Sequence, residues 1–259
     1  LAIDAGDDAS CAAAPVNNLD QRGVMRPQSA HCDIGAYEYI LQSGCFTEYT
    51  GDNITDFSSA DASAVQNALA VVPPGGTVKI AGYCPGVQVN GGTIQTARVD
   101  QIVTLAGGYT STNWTTSYPL TQPTTLDAKG GGRVIYANAA TTLINLTLQN
   151  GTGDNHGGGA YFAYVPATIT GVTFISNTAV GNGGGAAFFD LATISNTIFV
   201  SNTAGAFGGG LYVRLTANVI GSTFTGNTSV LDGGGAYLSG GATLVDTAFT
   251  GNTSSGQYG

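Results

Sequence analysis

The sequence predicts an all-β fold: a right-handed parallel β-helix with coils of about 25 residues and a short N-terminal capping helix. Three observations support this. A motif of about 25 residues recurs through the last hundred residues, and each copy contains short runs in which apolar and polar residues alternate. In addition, 40 of the 259 residues are glycine, and only 9% are charged. Alternation is typical of strands, and a short fixed period is typical of solenoids.

The repeat holds two or three alternating runs per copy, such as "ATITGVTF", each broken by Gly or Asn. No run shows a helical period, and helical repeats are longer, at about 33 residues or more. We therefore expect three short strands and three bends per coil. A looser copy begins at Gly130, with Leu148 and Asn150 in the matching places. The regular copies begin at the Gly triplets of Gly157, Gly183, Gly208 and Gly233.

Two residue types recur at a spacing of 25 and should stack on their copies in neighbouring coils. We expect an internal aromatic stack and an amide ladder. The N-x-S/T motif also fits Asn227 and Asn252, but Asn177 and Asn202 hold the same place without it, which favours the ladder over glycans. The Gly triplets fit bends rather than phosphate loops, since no Lys-Ser/Thr follows them. The columns are Phe174, Phe199, Phe224 and Phe249, and Asn177, Asn202, Asn227 and Asn252.

A short amphipathic helix is predicted at residues 63–71, where it would cover the apolar end of the first coil. Ser59 or Asp61 would cap it, "PPGG" would end it, and "TVKIAG" from Thr77 would be the first strand. Its apolar positions are Ala64, Val65, Ala68 and Leu69.

Charge and cysteine content indicate an extracellular protein. The net charge of −9 argues against nucleic acid and anionic membranes as partners, and no apolar run of about 20 residues is present. No signal peptide precedes "AIDAGDD", so we expect a mature piece or an excised fragment. Two disulfides are expected. Proximity favours Cys11 with Cys32 and Cys45 with Cys84, although three pairings are possible. Zinc is the alternative, but there is no CxxC pair.

The N-terminal segment carries a resemblance. It reads "LAIDAGDD" from Leu1 and "DQRGVMRPQSAHCDIGAYEY" from Asp20. With "LAGGYTSTNWTTSYPLTQPTTLDAKGGGRVIY" and the Gly-triplet coils, it resembles secreted bacterial β-helix surface proteins that are similar to pectate lyases and polymorphic outer-membrane proteins. The resemblance implies that this segment closes a β-helix.

Three segments are therefore expected: residues 1–40 as a closing segment, 41–98 as an N-terminal cap, and 99–259 as coils. The ending comes first in the chain. Either the chain is a window cut from a longer tandem protein, or residues 1–39 of one subunit close the open end near Gly259 of its neighbour. The second alternative predicts a head-to-tail homopolymer.

Catalysis on a β-helix needs acids and bases clustered on one face of adjacent coils. The polar candidates fall at different offsets from the Gly triplet, so we expect no catalytic residue and no cofactor. Asp190 and Arg214 should form only a surface ion pair. The function expected is that of an extracellular structural protein, a subunit of a surface filament or fibre that could also serve in adhesion. The alternative is a glycan-binding or polysaccharide-cleaving domain. The candidates are Asp154, His156, Asp190, Arg214, Asp232 and Asp246.

The sequence also raises the questions of a Ca²⁺ site and of an ice-binding surface. A structural Ca²⁺ ion could bind "DAGDD", or Arg22 and Arg26 could pair with Asp33 or Glu38 to lock the segment. An ice-binding Thr ladder is disfavoured because Asn218 interrupts the column of Thr168, Thr193 and Thr243. The acidic and basic residues of the closing segment are Asp4, Asp7, Asp8, Asp20, Arg22, Arg26, Asp33 and Glu38.

Overall fold

The computed structural model describes residues 6–14, 17, 31–32 and 43–256. Within them the chain forms a parallel β-solenoid of about seven turns with coils of about 25 residues and two helices, which confirms the predicted fold class. The closing motif lies outside the described residues except for His31 and Cys32. The helices are α1 (Asp8–Ala12) and α2 (Ser63–Val71).

The strands form three sheets. The 15-stranded sheet contains β1 (Cys45–Glu48), β2 (Phe57–Ser59), β3 (Thr77–Pro85), β6 (Val103–Tyr109), β7 (Thr124–Asp127), β9 (Thr141–Ile144), β10 (Leu146–Gln149), β13 (Ala167–Thr170), β14 (Thr173–Ile175), β17 (Ala192–Ser195), β18 (Ile198–Val200), β21 (Ala217–Ile220), β22 (Thr223–Thr225), β25 (Ala242–Val245) and β26 (Ala248–Thr250). The seven-stranded sheet contains β4 (Gln88–Asn90), β5 (Thr93–Val99), β8 (Arg133–Ala137), β12 (Ala160–Phe162), β16 (Ala186–Phe188), β20 (Leu211–Val213) and β24 (Ala236–Leu238). The five-stranded sheet contains β11 (Thr152–Gly153), β15 (Thr178–Ala179), β19 (Thr203–Ala204), β23 (Thr228–Ser229) and β27 (Thr253–Ser254).

A regular coil contains four strands, for example β12 to β15, one more than the sequence suggested. The extra strand has only two residues, too few to show alternation in the sequence. At three bends in each coil, one residue has the left-handed backbone conformation. The first Gly of each triplet takes positive φ, as at Gly183 (φ 68°), and the other bends lie near Asn196 (φ 49°) and Ser201 (φ 54°). Such bends let a short coil turn back on itself without a long loop.

The N-terminal end of the solenoid is covered by α2, which packs against β1, β2, β3 and β5. The N-cap residue is Ala62, not Ser59 or Asp61 as the sequence predicted. Both of those side chains nevertheless accept from amides of the first turn: the Ser59 hydroxyl from Ala64 (3.1 Å) and the Asp61 carboxylate from Ser63 (2.9 Å). The segment "TVKIAG" forms β3 and is not the first strand that the sequence predicted, because β1 and β2 precede it in the chain. β1 pairs antiparallel with β3 and so occupies the edge of the first coil.

One position in the early, looser coil was also assigned wrongly. Leu148 lies in register with Phe174, as the spacing indicated. Asn150, however, does not occupy the asparagine column, because Thr152 pairs with Thr178 and this register places Gly151 beside Asn177. Asn150 instead adopts positive φ (53°) at the bend. Asn150 follows Leu148 by two residues, whereas Asn177 follows Phe174 by three, so the position that matches Asn177 is Gly151.

Both disulfides favoured by proximity are present, Cys11–Cys32 and Cys45–Cys84, with S–S distances of 2.02 and 2.09 Å. The zinc alternative is therefore excluded, because all four thiols are oxidised. Two disulfides are typical of an oxidising environment outside the cell. Across the described ranges, the helices are too short and too polar to cross a bilayer.

Candidate functional site

An asparagine column runs inside the solenoid, next to the two-residue strands. The Nδ2 atom of Asn177 donates to the Leu148 carbonyl (2.9 Å) in the coil before and to Oδ1 of Asn202 (3.0 Å) in the coil after. Oδ1 of Asn202 also accepts from the Asn177 backbone amide (3.0 Å). The same contacts continue to Asn227 and Asn252. Asn227 is fully buried, so a glycan has no access to it in the folded chain.

The phenylalanine column lies beside the asparagines. Successive ring centroids are 4.9, 4.6 and 4.7 Å apart, and the rings are within 6° of parallel. Phe174, Phe199 and Phe224 are fully buried, whereas Phe249 is 47% exposed. The column thus fills the core until the coil of residues 233–256, where it opens to solvent.

This coil, which we call the open coil, presents the edges of all three parallel sheets. Its strands β24 to β27 are terminal strands, each paired on one side within the described residues. Phe249 and Leu244 face solvent here, although Phe224 and Val219, their partners in register, are fully buried. An apolar surface bounded by unpaired strand edges favours the addition of further β-structure.

The predicted catalytic candidates are spread over the solenoid rather than brought together. Asp154 forms an ion pair with Arg133 (2.8 Å), His156 lies among aromatic rings, and Asp246 sits at a bend with positive φ (49°). Asp232 lies at the start of the open coil, where its backbone carbonyl accepts from the Gly208 amide (3.1 Å). Only Asp154 and His156 share one neighbourhood, around Arg133.

The prediction of an ion pair between Asp190 and Arg214 is wrong. No ion pair among the described residues joins them. The guanidinium of Arg214 lies over Tyr164 (5.8 Å) and Phe189 (6.0 Å), and Oδ1 of Asp190 accepts from the Leu191 amide (2.8 Å). An aromatic face attracts the weakly hydrated guanidinium, and the short Asp side chain bonds locally to its turn.

The structure brings together a group that sequence analysis missed, a row of aromatic rings on the outer face of the seven-stranded sheet. Its contacts are continuous, with centroid distances of 5.6, 5.4, 5.6 and 5.8 Å from one ring to the next. Ala187 lies in register with Tyr161 and Tyr212 but has no ring, and Phe189 of the same coil fills this place in the row. The aromatic row consists of Tyr136, Tyr161, Phe189, Tyr212 and Tyr237.

Three guanidinium groups accompany the aromatic row, those of Arg98, Arg133 and Arg214, and the last lies over Phe189 as described above. Arg98 lies over Tyr136 (4.8 Å) and forms an ion pair with Asp100 (2.9 Å). Arg133 contacts the rings of Tyr136 (5.7 Å) and Tyr161 (5.4 Å) and is only 4% exposed. Its Nε atom donates to the carbonyls of residues 156 and 157, so the side chain is held rigidly. A cavity of about 300 Å³ adjoins Arg133 and Asp154 at the N-terminal end of the row.

Burial shifts the pKa values of two phenols of the row, and of the neighbouring His156, towards the neutral form of each group. Burial, followed by the nearby Arg133, lowers the pKa of His156. Burial also raises the pKa of the Tyr161 and Tyr212 phenols. Nδ1 of His156 accepts from the Asn182 amide (3.3 Å), and its ring contacts Phe189 at 4.7 Å. At Tyr161 and Tyr212 the row therefore offers neutral hydroxyls.

Of the acidic residues of the closing segment, the structure describes Asp7 and Asp8. Asp7 accepts from the amide and hydroxyl of Ser10 at the start of α1, and Asp8 accepts from the Cys32 amide (2.9 Å). Among the described residues no group of three or more acids, histidines or cysteines could hold a metal ion. The other residues of that cluster lie outside the described ranges: Asp4, Asp20, Arg22, Arg26, Asp33 and Glu38.

Threonine forms two columns. The first column, which contains Thr168 and Thr193, is in register as the sequence predicted, and Asn218 interrupts it between Thr193 and Thr243. A second column, which sequence analysis missed, follows the five-stranded sheet without interruption and is exposed throughout. It contains Thr152, Thr178, Thr203, Thr228 and Thr253.

No protein-family model, no curated protein and no solved structure gave a significant match to the chain. The assignment of function therefore depends on the physical chemistry of the solenoid itself.

Proposed function

We propose that this chain is an extracellular structural protein, a β-solenoid subunit of a surface filament that assembles head to tail, and that it is not an enzyme. The observation that carries the proposal is the open coil, with its terminal strand edges and its half-exposed Phe249. A further coil in the same register, supplied by a neighbouring subunit or by a continuation of this chain, would bury that ring and continue the columns.

The energetics favour such an addition. Burying a whole aromatic ring removes about 150–250 Å² from water, and about half of that area is still exposed at Phe249. Each square ångström of apolar area contributes about 25 cal/mol. Asn252 donates its Nδ2 to the Phe224 carbonyl (2.8 Å) in the coil before, and a following asparagine could supply the acceptor that the earlier members of the column have. Edge pairing through backbone hydrogen bonds is a common mode of strand addition.

The opposite end supports a directional assembly. There α2 and β1 cover the first coil, so the two ends present different surfaces, and contact between unlike ends leads to open filaments. In this proposal residues 1–39 of the neighbour form the joint. The low charge content and the two disulfides suit an extracellular setting.

The test is electron microscopy and analytical ultracentrifugation of the purified chain over a range of concentrations. We expect concentration-dependent fibres that Phe249→Glu abolishes, since a charge cannot be buried in the joint. Val180→Glu, at an apolar position 69% exposed on the side of a coil, is the matched control and should polymerise normally. A wild-type chain that stays folded and monomeric at high concentration would refute head-to-tail assembly.

A further inference from the structure

We propose that the aromatic row binds a neutral linear polysaccharide, whose sugar rings stack along the solenoid axis. This site goes beyond the structural role proposed above and does not depend on it, because the row lies on the side of the coils and not at their ends. It consists of side chains that point away from the core, as the burial of the residues on either side shows for Tyr161 and Tyr212.

The spacing of the row suits an extended polymer. One ring comes from each of five successive coils, and the coils are spaced by about 4.8 Å, so the row is about 19 Å long. A compact ligand would meet only one or two rings. Four of the five rings sit on paired strands, and Phe189 directly follows β16. Neighbouring rings contact one another, so their positions are set before any ligand arrives. Such preorganisation lowers the entropic cost of binding.

The chemistry of the row matches sugar rings. Aromatic rings offer an apolar surface to the C–H groups of a pyranose. Tyr212 and Tyr237 lie within 8° of parallel, whereas Tyr161 meets Tyr136 and Phe189 edge-on, at 77° and 78°. The phenol groups of the four tyrosines can exchange hydrogen bonds with sugar hydroxyls. The Arg133–Asp154 pair adds fixed donors and acceptors at one end of the row. A cavity of about 300 Å³, lined by this pair and by none of the five rings, lies beside it.

The charge of the surface favours a neutral polymer over a polyanion. Two of the three guanidinium groups are matched by carboxylates, Asp100 and Asp154, whose side chains are 54% and 84% exposed. The chain as a whole carries a net charge of −9. Single-stranded nucleic acid also stacks on aromatic rows, but it needs a positively charged track, and an acidic polysaccharide would meet the same repulsion.

The test is isothermal titration calorimetry of the full chain against soluble probes: cellohexaose, xyloglucan and galactomannan as neutral glycans, polygalacturonate as an acidic one, and a thymidine oligonucleotide. We expect binding to at least one neutral glycan. Tyr161→Ala and Tyr212→Ala should each weaken it about fivefold or more, a loss typical of an important contact residue. Ile198→Ala, at an exposed apolar position of another sheet face, is the matched control and should change nothing.

Tyr161→Phe separates loss of the site from loss of the fold, because it keeps the ring and its packing. It should melt like the wild type and bind more tightly than Tyr161→Ala. The proposal is overturned if no neutral glycan binds, if only polygalacturonate or the oligonucleotide binds, or if the two alanine variants bind as well as the wild type.

Discussion

The side chains of Asn177 and Asn202, 25 residues apart, are joined by a hydrogen bond of 3.0 Å at a position without access to solvent. Each asparagine in this column also bonds to the backbone of the coil before it, as Asn202 does to the Phe174 carbonyl (2.9 Å). The column therefore links successive coils through groups that have no water to replace a lost partner.

Removing one member should be costly. In Asn202→Ala the amide of Asn177 and the carbonyl of Phe174 lose their buried partners, and each unsatisfied group costs about 1–3 kcal/mol. We expect the free energy of unfolding, measured by denaturant titration, to fall by about 3 kcal/mol or more. Asn218→Thr, on the outer face of β21, should stay within about 0.5 kcal/mol of the wild type. Equal losses for the two variants would contradict the ladder.

The phenylalanine column allows a comparison of one residue type at two depths. Phe199→Ala should cost about 3–5 kcal/mol, because it leaves a cavity between two stacked rings. Phe249→Ala should cost about 1 kcal/mol in the monomer, since its ring is already half exposed. Thermal unfolding of both variants measures the difference. A Phe249 variant as unstable as the Phe199 variant would mean that the open coil is covered in solution.

The second glycine of each triplet is required for close packing rather than for a special backbone angle. A Cβ atom on Gly184 would overlap the carbonyl oxygens of Thr203 and Gly209, so Gly184→Ala should lower the free energy of unfolding by about 1–3 kcal/mol. A Cβ atom on Gly241 would meet nothing within 4 Å, so Gly241→Ala should be neutral or slightly stabilising. Differential scanning calorimetry can rank them, and the opposite ranking would refute the packing argument.

Stability should also decline at high pH through Tyr83. Burial, followed by the hydrogen bond to Asp127 (2.6 Å), raises the pKa of this phenol from 10.0 to about 12. The unfolded chain therefore loses the proton first, and the contribution of Tyr83 is complete below pH 10 and lost between about pH 10 and 12. Denaturant titrations across this window should show a steeper loss for the wild type than for Tyr83→Phe. Identical slopes would contradict the assignment.

The spacing of repeated residues predicted the columns most accurately where successive coils have the same length. Phe174, Phe199 and Phe224 could be placed in one column because nothing between them is inserted or deleted. Asn150 was misplaced because it follows Leu148 by two residues, whereas Asn177 follows Phe174 by three, and a difference of one residue moves a side chain out of its column. The prediction failed for Arg214 because sequence spacing does not show which way a long side chain turns.

The aromatic row left a partial signal in the sequence. Tyr161, Tyr212 and Tyr237 each follow a Gly triplet at the same offset, but Ala187 breaks the series, and Phe189 fills the gap from a position two residues later. Arg133 gave no such signal. Its role follows from the carbonyls and rings that neighbouring coils bring to it.

The sequence by itself determined the solenoid, its 25-residue coil, the capping helix and the two internal columns, because each depends on a repeated spacing and on local propensity. The tertiary structure alone decided which side chains share an outer face, where the open coil exposes its core, and how β1 covers the first coil. These features depend on contacts between residues of different coils, whose relative direction no single stretch of sequence specifies.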